Sequence, residues 1–143
     1  MLGLPTGRTP IGLYARLRAR RLDWRGVVTF NLDELVGLPR TDSRSYRAFM
    51  DAHLFVAVGL REDQIHCPDG MAADPAVECA RYEAALSRAG GLDLAVCGVG
   101  ANGHVAFNEP GEALVAAAHV AVLEPTTRQG NVAAFGGDLS AVP

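Results

Sequence analysis

The segment GVGANGHVAFNEP, from Gly98 to Pro110, brings a histidine and a carboxylate within five residues of each other, at His104 and Glu109. An imidazole and a carboxylate this close together form a compact site for proton transfer on a small polar substrate. Asn102 and Asn108 add hydrogen-bonding groups beside three glycines of the same segment. The competing interpretation is that His104 is an ordinary packed histidine and Glu109 a solvated loop acid.

The glycines of this segment also fit the GxGxxG pattern of a dinucleotide-binding turn, with an acid, Glu124, about 21 residues further on. That turn needs a long helix that opens at the last glycine and receives the pyrophosphate. Here the stretch Asn108 to Gly111 interrupts the chain within a few residues of Gly103, so no such helix fits. We therefore favour proton transfer over dinucleotide binding.

Strands that alternate with helices are predicted to position these groups. The apolar run before the segment predicts a buried strand, and open α/β sheets keep their ligand sites at the carboxyl ends of strands. The alternation predicts an α/β fold with a Rossmann-like parallel sheet and helices on both faces. The predicted strands are Met1–Leu4, Gly26–Asp33, Leu92–Val99 and His119–Leu123, and the predicted helices are Ile11–Arg21, Ser43–Val58 and Pro75–Ala89.

The turn after the first predicted strand, from Pro5 to Pro10, is rich in glycine and threonine. Thr9 is predicted to be the N-cap of the first helix and Pro10 its first residue. Such a turn presents free backbone N–H groups and the positive end of a helix dipole, which together bind phosphate without a metal. A plain capped turn fits the same residues equally well.

The second predicted strand runs directly into two acids, Asp33 and Glu34. Neighbouring residues at a strand end point to opposite sides, so we expect Glu34 to face away from the side of Asp33. The turn after the first strand, Asp33 and the loop of His104 then meet at one edge of the parallel sheet. An anion-binding turn, a base and a second acid–base group on one edge are typical of a sugar-phosphate enzyme rather than a scaffold.

Length and composition indicate one domain, because 143 residues with 49% hydrophobic content suffice for one small sheet and its helices. A net charge of −3 provides no overall field for nucleic acid or for an anionic membrane, and the chain has no long apolar run. Met1–Leu4 and Ala141–Pro143 look like interrupted ends, so we expect residues 1–143 to be a partial domain. The cysteines lack CxxC spacing, which predicts reduced thiols in a cytoplasmic protein without a metal site; they are Cys67, Cys79 and Cys97.

The chain resembles the glucosamine-6-phosphate deaminases, also called isomerases, of the 6-phosphogluconolactonase-like superfamily. The resemblance rests on LGLPTGRTPIGLY, on VVTFNLDELVGLP with SYRAFM following, and on GVGANGHVAFNEPG. It implies an enzyme that opens the ring of glucosamine 6-phosphate, moves a proton between C2 and C1, and releases ammonia to leave fructose 6-phosphate, without a metal or an organic cofactor. The alternatives are a lactonase, whose GHxAS-type loop lacks the FNEP continuation, and a sugar-phosphate-binding paralogue without turnover.

The resemblance also implies a role for each candidate residue. Asp33 matches the base that moves the C2 proton, provided that burial raises the pKa of its carboxyl group toward working pH. His104 matches the group that handles the ring-oxygen and anomeric-hydroxyl protons, and Glu109 the acid that orients and charges its imidazole. Asn102 can hold a hydrogen bond but cannot titrate, so its implied role is positional. The residues that match the 6-phosphate site are Thr6, Gly7, Arg8 and Thr9.

Two features depart from the family pattern. Arg8 replaces a small residue of many relatives, and its guanidinium either contacts the phosphate or points into solvent. The family's phosphate-binding arginine corresponds to Ala133, with Arg128 nearby, and its phosphate-binding lysine lies beyond Pro143. Loss of a bidentate arginine contact costs about 1.5–3 kcal/mol of binding free energy. The resemblance further implies that the protein forms a homo-oligomer and that it binds a small sugar phosphate.

Overall fold

The computed structural model describes residues 1–143, apart from the side chain of residue 134. Its centre is a four-stranded sheet in the order β3-β2-β1-β4, in which every pair of neighbours is parallel. Leu4 of β1 pairs with Asn31 of β2, and Gly3 pairs with Ala95 of β4. The strands are β1 (Leu2–Leu4), β2 (Thr29–Asn31), β3 (Ile65–His66) and β4 (Leu94–Ala95).

Five α-helices surround this sheet in the part of the chain that the structure describes, and a π-helical stretch, Asp51–Phe55, joins the second to the third. Short 3₁₀ turns cover Glu62–Gln64, Val132–Phe135 and Leu139–Ala141. None of the described helices combines the length and the apolar character needed to cross a bilayer. The helices are α1 (Ile11–Ala19), α2 (Tyr46–Met50), α3 (Val56–Val58), α4 (Pro75–Arg88) and α5 (Pro125–Asn131).

Helices cover both faces of the sheet, because neighbouring residues of a strand point to opposite sides. On one face, Leu4 packs in a buried cluster with Tyr14 of α1 and Met50 of α2. On the other, Phe30 packs against Tyr82 and Ala85 of α4. The predicted α/β fold with a parallel sheet between two helical layers is therefore confirmed.

Side-chain caps explain why two of the predicted helices begin where they do. The hydroxyl group of Ser45 accepts the N–H of Ala48 at 3.1 Å, so α2 begins at Tyr46, three residues after the predicted start. The carboxylate of Asp74 accepts the N–H of Ala76 at 2.9 Å, and α4 begins at Pro75 as predicted. The continuous helical segment from α2 to α3 ends at the predicted residue, and α4 ends one residue early, at Arg88.

The predicted N-cap of the first helix is wrong, although the helix begins at Ile11, the first residue of the predicted range. Thr9 is not the N-cap, because Pro10 occupies that position and no side chain caps the helix. Helix α1 begins at Ile11 and ends at Ala19, two residues before the predicted end, where Arg20 adopts an extended backbone. The turn before α1 therefore keeps its N–H groups free of a side-chain cap.

Two strand predictions also need correction. The run Leu92–Val99 contains a strand of only two residues, and it is not buried: β4 pairs with β1 alone, so Leu94 is 57% exposed and Val99 is 76% exposed. The segment His119–Leu123 forms no regular element and pairs with no strand in the described residues, although its β-branched residues favour one. The fourth strand is instead β3, whose two residues are too few to produce a recognisable pattern.

Candidate active site

A cleft of about 480 Å³ lies at the edge of the sheet where β1, β2 and β4 end. Its walls include the turn Thr6–Thr9 after β1, Asp33 after β2 and His104 after β4. The size is within the range of small-molecule sites. A second cavity, of about 180 Å³, also borders Asp33, but neither His104 nor the turn lines it. The larger cleft is therefore the candidate active site.

Two buried tyrosines fasten the ends of the strands that lead into the cleft. The hydroxyl group of Tyr14 donates to the carbonyl oxygen of Pro5, directly after β1. The hydroxyl group of Tyr82 donates to the carbonyl oxygen of Asn31, the last residue of β2. These bonds join α1 and α4 to the points where the chain leaves the sheet, and so position the groups that follow.

Asp33 combines burial with an unsatisfied carboxylate oxygen. Its Oδ1 atom is buried and has no hydrogen-bond partner among the described residues. This desolvation, with a smaller contribution from the neighbouring charge of Glu34, raises the pKa of Asp33 to about 7. A carboxylate with such a pKa is suited to general-base catalysis near neutral pH, because it gains and loses a proton there.

Glu34 has a structural contact instead of a place in the cleft. Its carboxylate accepts the backbone N–H groups of Leu35 at 2.9 Å, Tyr46 at 2.8 Å and Arg47 at 2.9 Å. The last two belong to the first turn of α2, whose N–H groups have no partner within the helix. Glu34 therefore faces α2 and fastens the loop of Asp33 to that helix, in agreement with the expectation that the two acids point to different sides.

His104 packs directly against the backbone of Gly100. A β-carbon placed on Gly100 would lie 2.1–2.4 Å from three atoms of the imidazole ring, closer than any two such atoms can approach. The backbone N–H of Gly100 also donates to the carbonyl oxygen of His104 at 2.8 Å, which closes the loop around the ring. The glycine is therefore required by the space that the imidazole occupies.

Asn102 bridges the histidine and the acid that were expected to touch each other. Its side-chain nitrogen donates to Glu109 Oε2 at 2.8 Å, and its side-chain oxygen lies 2.6 Å from His104 Nδ1. The direct distance between His104 Nδ1 and Glu109 Oε2 is 4.0 Å. Although desolvation opposes it, hydrogen bonds from Thr127 and Asn102 hold the pKa of Glu109 below its usual value. Glu109 is thus linked to the imidazole through the side chain of Asn102.

The turn after β1 has the features of an anion-binding loop. Gly7 adopts a φ of 88°, a backbone conformation that favours glycine. Among the described residues, no acceptor takes the backbone N–H groups of Gly7, Arg8 and Thr9. Of the arginines in the chain, Arg8 is the one that lines the cleft.

The arginine near the position of the family's phosphate ligand does not serve this cleft. Arg128 donates through Nη2 to the carbonyl oxygens of Leu139 at 2.9 Å and Val142 at 2.8 Å. It therefore holds the carboxyl-terminal segment, and it is not among the residues that line the cleft. Ala133 offers no charge. The arginine side chain that lines the cleft is instead that of Arg8.

Sequence reasoning missed the residues that α5 and α2 contribute to the cleft. Thr127 and Asn131 lie one helical turn apart on α5, and both line the cleft. The hydroxyl group of Tyr46 donates to Asn131 Oδ1 at 3.3 Å, and its ring packs against Phe107 at 5.6 Å between centroids. The spacing of Thr127 and Asn131 was the available signal, but α5 itself was not predicted.

Within the described part of the chain, no group of three or more His, Cys, Asp or Glu side chains has the arrangement of a metal site.

Comparison with protein families gives a match over most of the chain. The family model described as glucosamine-6-phosphate isomerases/6-phosphogluconolactonase matches residues 1–131. The chain is 42% identical over 147 residues to glucosamine-6-phosphate deaminase from Caenorhabditis elegans. The match covers 100% of this chain and 55% of that protein. The chain thus spans little more than half the length of that relative.

Solved structures agree with this match. A structure described as a monomeric glucosamine-6-phosphate deaminase of the NagB superfamily has a TM-score of 0.93 at 37% identity, and the match covers 99% of this chain and 60% of that one. The 6-phosphogluconolactonase from Thermotoga maritima has a TM-score of 0.65 at 26% identity, and the match covers 73% of this chain and 48% of that one. The likeness to the deaminase is therefore closer and extends over more of the fold.

Proposed function

Because this chain belongs to the family of glucosamine-6-phosphate isomerases and 6-phosphogluconolactonases, we propose that it converts glucosamine 6-phosphate and water into fructose 6-phosphate and ammonia. The observation that carries the proposal is the shared cleft: a buried carboxyl group, an imidazole and an anion-binding turn line the same hollow. Each of the three is required by a different part of this reaction.

The first step is ring opening, for which His104 is the candidate. The imidazole takes the proton of the C1 hydroxyl group while the bond between C1 and the ring oxygen breaks, and it passes this proton to the ring oxygen. The step yields an open-chain aldehyde that still carries the amine at C2. A side chain that both accepts and donates protons near neutral pH is suited to it.

The second step is proton transfer between carbons, for which Asp33 is the candidate base. Its carboxylate removes the proton from C2 while the C1 oxygen takes a proton from the protonated amine, which gives an enolamine. The Asp33 carboxyl group then returns its proton to C1 and leaves an iminium at C2. Water then adds to the iminium and ammonia departs, which leaves the ketone of fructose 6-phosphate. The raised pKa of Asp33 supports this assignment, because the group must hold the proton between two carbon sites.

The 6-phosphate is proposed to bind the turn Thr6–Thr9. The free N–H groups of this turn and the start of α1 favour an anion, and Arg8 adds a positive charge at the same wall of the cleft. Arg8 thereby takes over part of the role that a family arginine has at the position of Ala133.

A two-substrate assay tests the proposed function. The protein is incubated separately with glucosamine 6-phosphate and with 6-phosphogluconolactone, and ammonia, fructose 6-phosphate and lactone hydrolysis are measured. We expect ammonia and fructose 6-phosphate in equal amounts from the first substrate. Lactone hydrolysis without ammonia would assign the chain to the lactonase branch of the family instead.

One observation favours a second candidate, a sugar-phosphate-binding protein without turnover. Ala133 leaves the cleft without the family's phosphate-binding arginine, and Arg128 is engaged with Leu139 and Val142. Titration calorimetry with glucosamine 6-phosphate separates the two candidates. Binding heat without any product after prolonged incubation would favour the binding protein.

A further inference from the structure

We propose that Thr127 is a positioning residue that, together with Asn102, holds the His104 imidazole in the tautomer with the proton on Nδ1 and leaves Nε2 to accept a proton. The catalytic consequence rests on the proposed function, whereas the tautomer itself does not.

Fixed donors and acceptors determine the orientation of the Asn102 amide. The backbone N–H of His104 can only donate, and it lies 3.2 Å from the Asn102 side-chain oxygen. The Glu109 carboxylate accepts, and its Oε2 lies 2.8 Å from the Asn102 side-chain nitrogen. A reversed amide would set a donor against a donor and an acceptor against an acceptor.

The amide orientation determines which ring nitrogen of His104 carries the proton. The Asn102 side-chain oxygen lies 2.6 Å from Nδ1, and this oxygen can only accept. Nδ1 must therefore carry a hydrogen, and the neutral ring has its lone pair on Nε2. Among the described residues, Nε2 has no hydrogen-bond partner, so it is available to a substrate hydroxyl group.

Thr127 contacts both His104 and Asn102. Its Oγ1 atom lies 3.1 Å from His104 Nδ1 and 3.4 Å from the Asn102 side-chain nitrogen. The Asn102 nitrogen can only donate, so the Thr127 oxygen presents a lone pair to it. The second lone pair of the same oxygen is available to the N–H of His104, which makes Thr127 a second acceptor for that proton.

The position of Thr127 allows little freedom. It is 4% exposed, and as a β-branched residue of helix α5 it has few accessible rotamers. Asn102 and Thr127 thus place two neutral acceptors against Nδ1 of the imidazole, and both select the same tautomer. The negative charge of Glu109 polarises the Asn102 amide, whose nitrogen donates to the carboxylate.

The tautomer can be measured by nuclear magnetic resonance of the protein labelled with ¹⁵N-histidine, at mildly alkaline pH where free imidazole is neutral. The chain has four histidines, and His104→Gln identifies the signals of His104. We expect Nδ1–H and an unprotonated Nε2 in the wild type and in Thr127→Ser, which keeps the hydroxyl group. Thr127→Val should shift the ring signals toward a mixture of tautomers. A wild-type ring protonated on Nε2 would overturn the proposal, and so would ring signals unchanged in Thr127→Val.

Kinetics provide the second readout. Thr127→Val should lower kcat about tenfold to a hundredfold while KM for glucosamine 6-phosphate stays within about twofold, because the ring is misplaced and the phosphate site is untouched. Thr127→Ser should restore most of kcat. A loss confined to KM would contradict a positioning role. If the wild type releases no ammonia, the proposed function fails while the tautomer measurement still decides the role of Thr127.

Discussion

Individual residues carry the chemistry of this protein through contacts that exclude alternatives. Asp33 has a buried oxygen without a partner, and His104 has its ring pressed against Gly100. The first arrangement disfavours stability, because an unsatisfied buried carboxylate is costly, and the second leaves no room for a side chain at Gly100. Such features are expected at functional sites, where the geometry of the reacting groups takes precedence over packing.

Gly100→Ala tests the placement of His104. The new methyl group would overlap the imidazole, so the ring must move and we expect kcat to fall about a hundredfold. Gly26→Ala is the matched control, because a β-carbon on Gly26 has no atom within 4 Å, that glycine has no positive φ, and it does not line the cleft. Activity measurements on both variants check the prediction. Equal activities would mean that the position of the imidazole is irrelevant to the reaction.

Several candidate catalytic residues were predictable from the sequence, but the hydrogen bonds that connect them were not. The glycine-rich segment indicated His104, and the end of the second predicted strand indicated Asp33, because glycine turns and strand ends have clear sequence patterns. The Asn102 bridge had no such signal, since only the fold determines which of two neighbours an imidazole contacts. Thr127 comes from a helix that the sequence pattern did not predict.

At the scale of elements, the strand ends are the critical points. β1 leads into the turn Thr6–Thr9 and β2 leads to Asp33, and a tyrosine hydroxyl group from a different helix fastens each end. The start of α4 at Pro75 was predicted from the sequence, whereas the start of α2 was predicted three residues too early, at Ser43 instead of Tyr46. The short strand β3 and the exposure of β4 were not predicted, because pairing and burial depend on distant parts of the chain.

The two tyrosines should give different kinetic phenotypes. Tyr14→Phe and Tyr82→Phe each leave a carbonyl oxygen unsatisfied, so each should lower the free energy of unfolding by about 1–3 kcal/mol in urea denaturation. Tyr14→Phe loosens the phosphate turn and should mainly raise KM. Tyr82→Phe loosens the end of β2 and should mainly lower kcat. The reverse result would contradict the assignment of phosphate binding to the turn after β1 and of proton transfer to the end of β2.

For the whole molecule, the buried acid links function to stability. Burial raises the pKa of Asp33 to about 7 in the folded protein. In the unfolded chain the same carboxyl group has its ordinary pKa of about 3.9. Between these two values the folded state binds more protons than the unfolded state. The free energy of unfolding therefore falls as pH rises from about 4 to about 7, and this contribution stays lost above pH 7.

Asp33→Asn should remove this pH dependence. The variant should gain up to about 4 kcal/mol over the wild type at pH 8 and little at pH 4, as measured by urea unfolding across pH. Asp63→Asn is the control, because its exposed carboxylate bonds to Arg61, which lowers the pKa of Asp63, and no gain is expected there. A gain for Asp33→Asn that is independent of pH would contradict the assigned protonation.

The fate of the hydrogen on C2 of glucosamine 6-phosphate tests directly whether Asp33 is the catalytic base, since removal of that hydrogen is the step assigned to Asp33. Nuclear magnetic resonance of the substrate in deuterated water, with the wild type and with folded Asp33→Asn, follows that hydrogen together with the released ammonia. We predict that the wild type consumes the C2 hydrogen and forms fructose 6-phosphate, whereas Asp33→Asn leaves the hydrogen in place and releases no ammonia. Turnover by Asp33→Asn at the wild-type rate would contradict the assignment of Asp33 as the catalytic base.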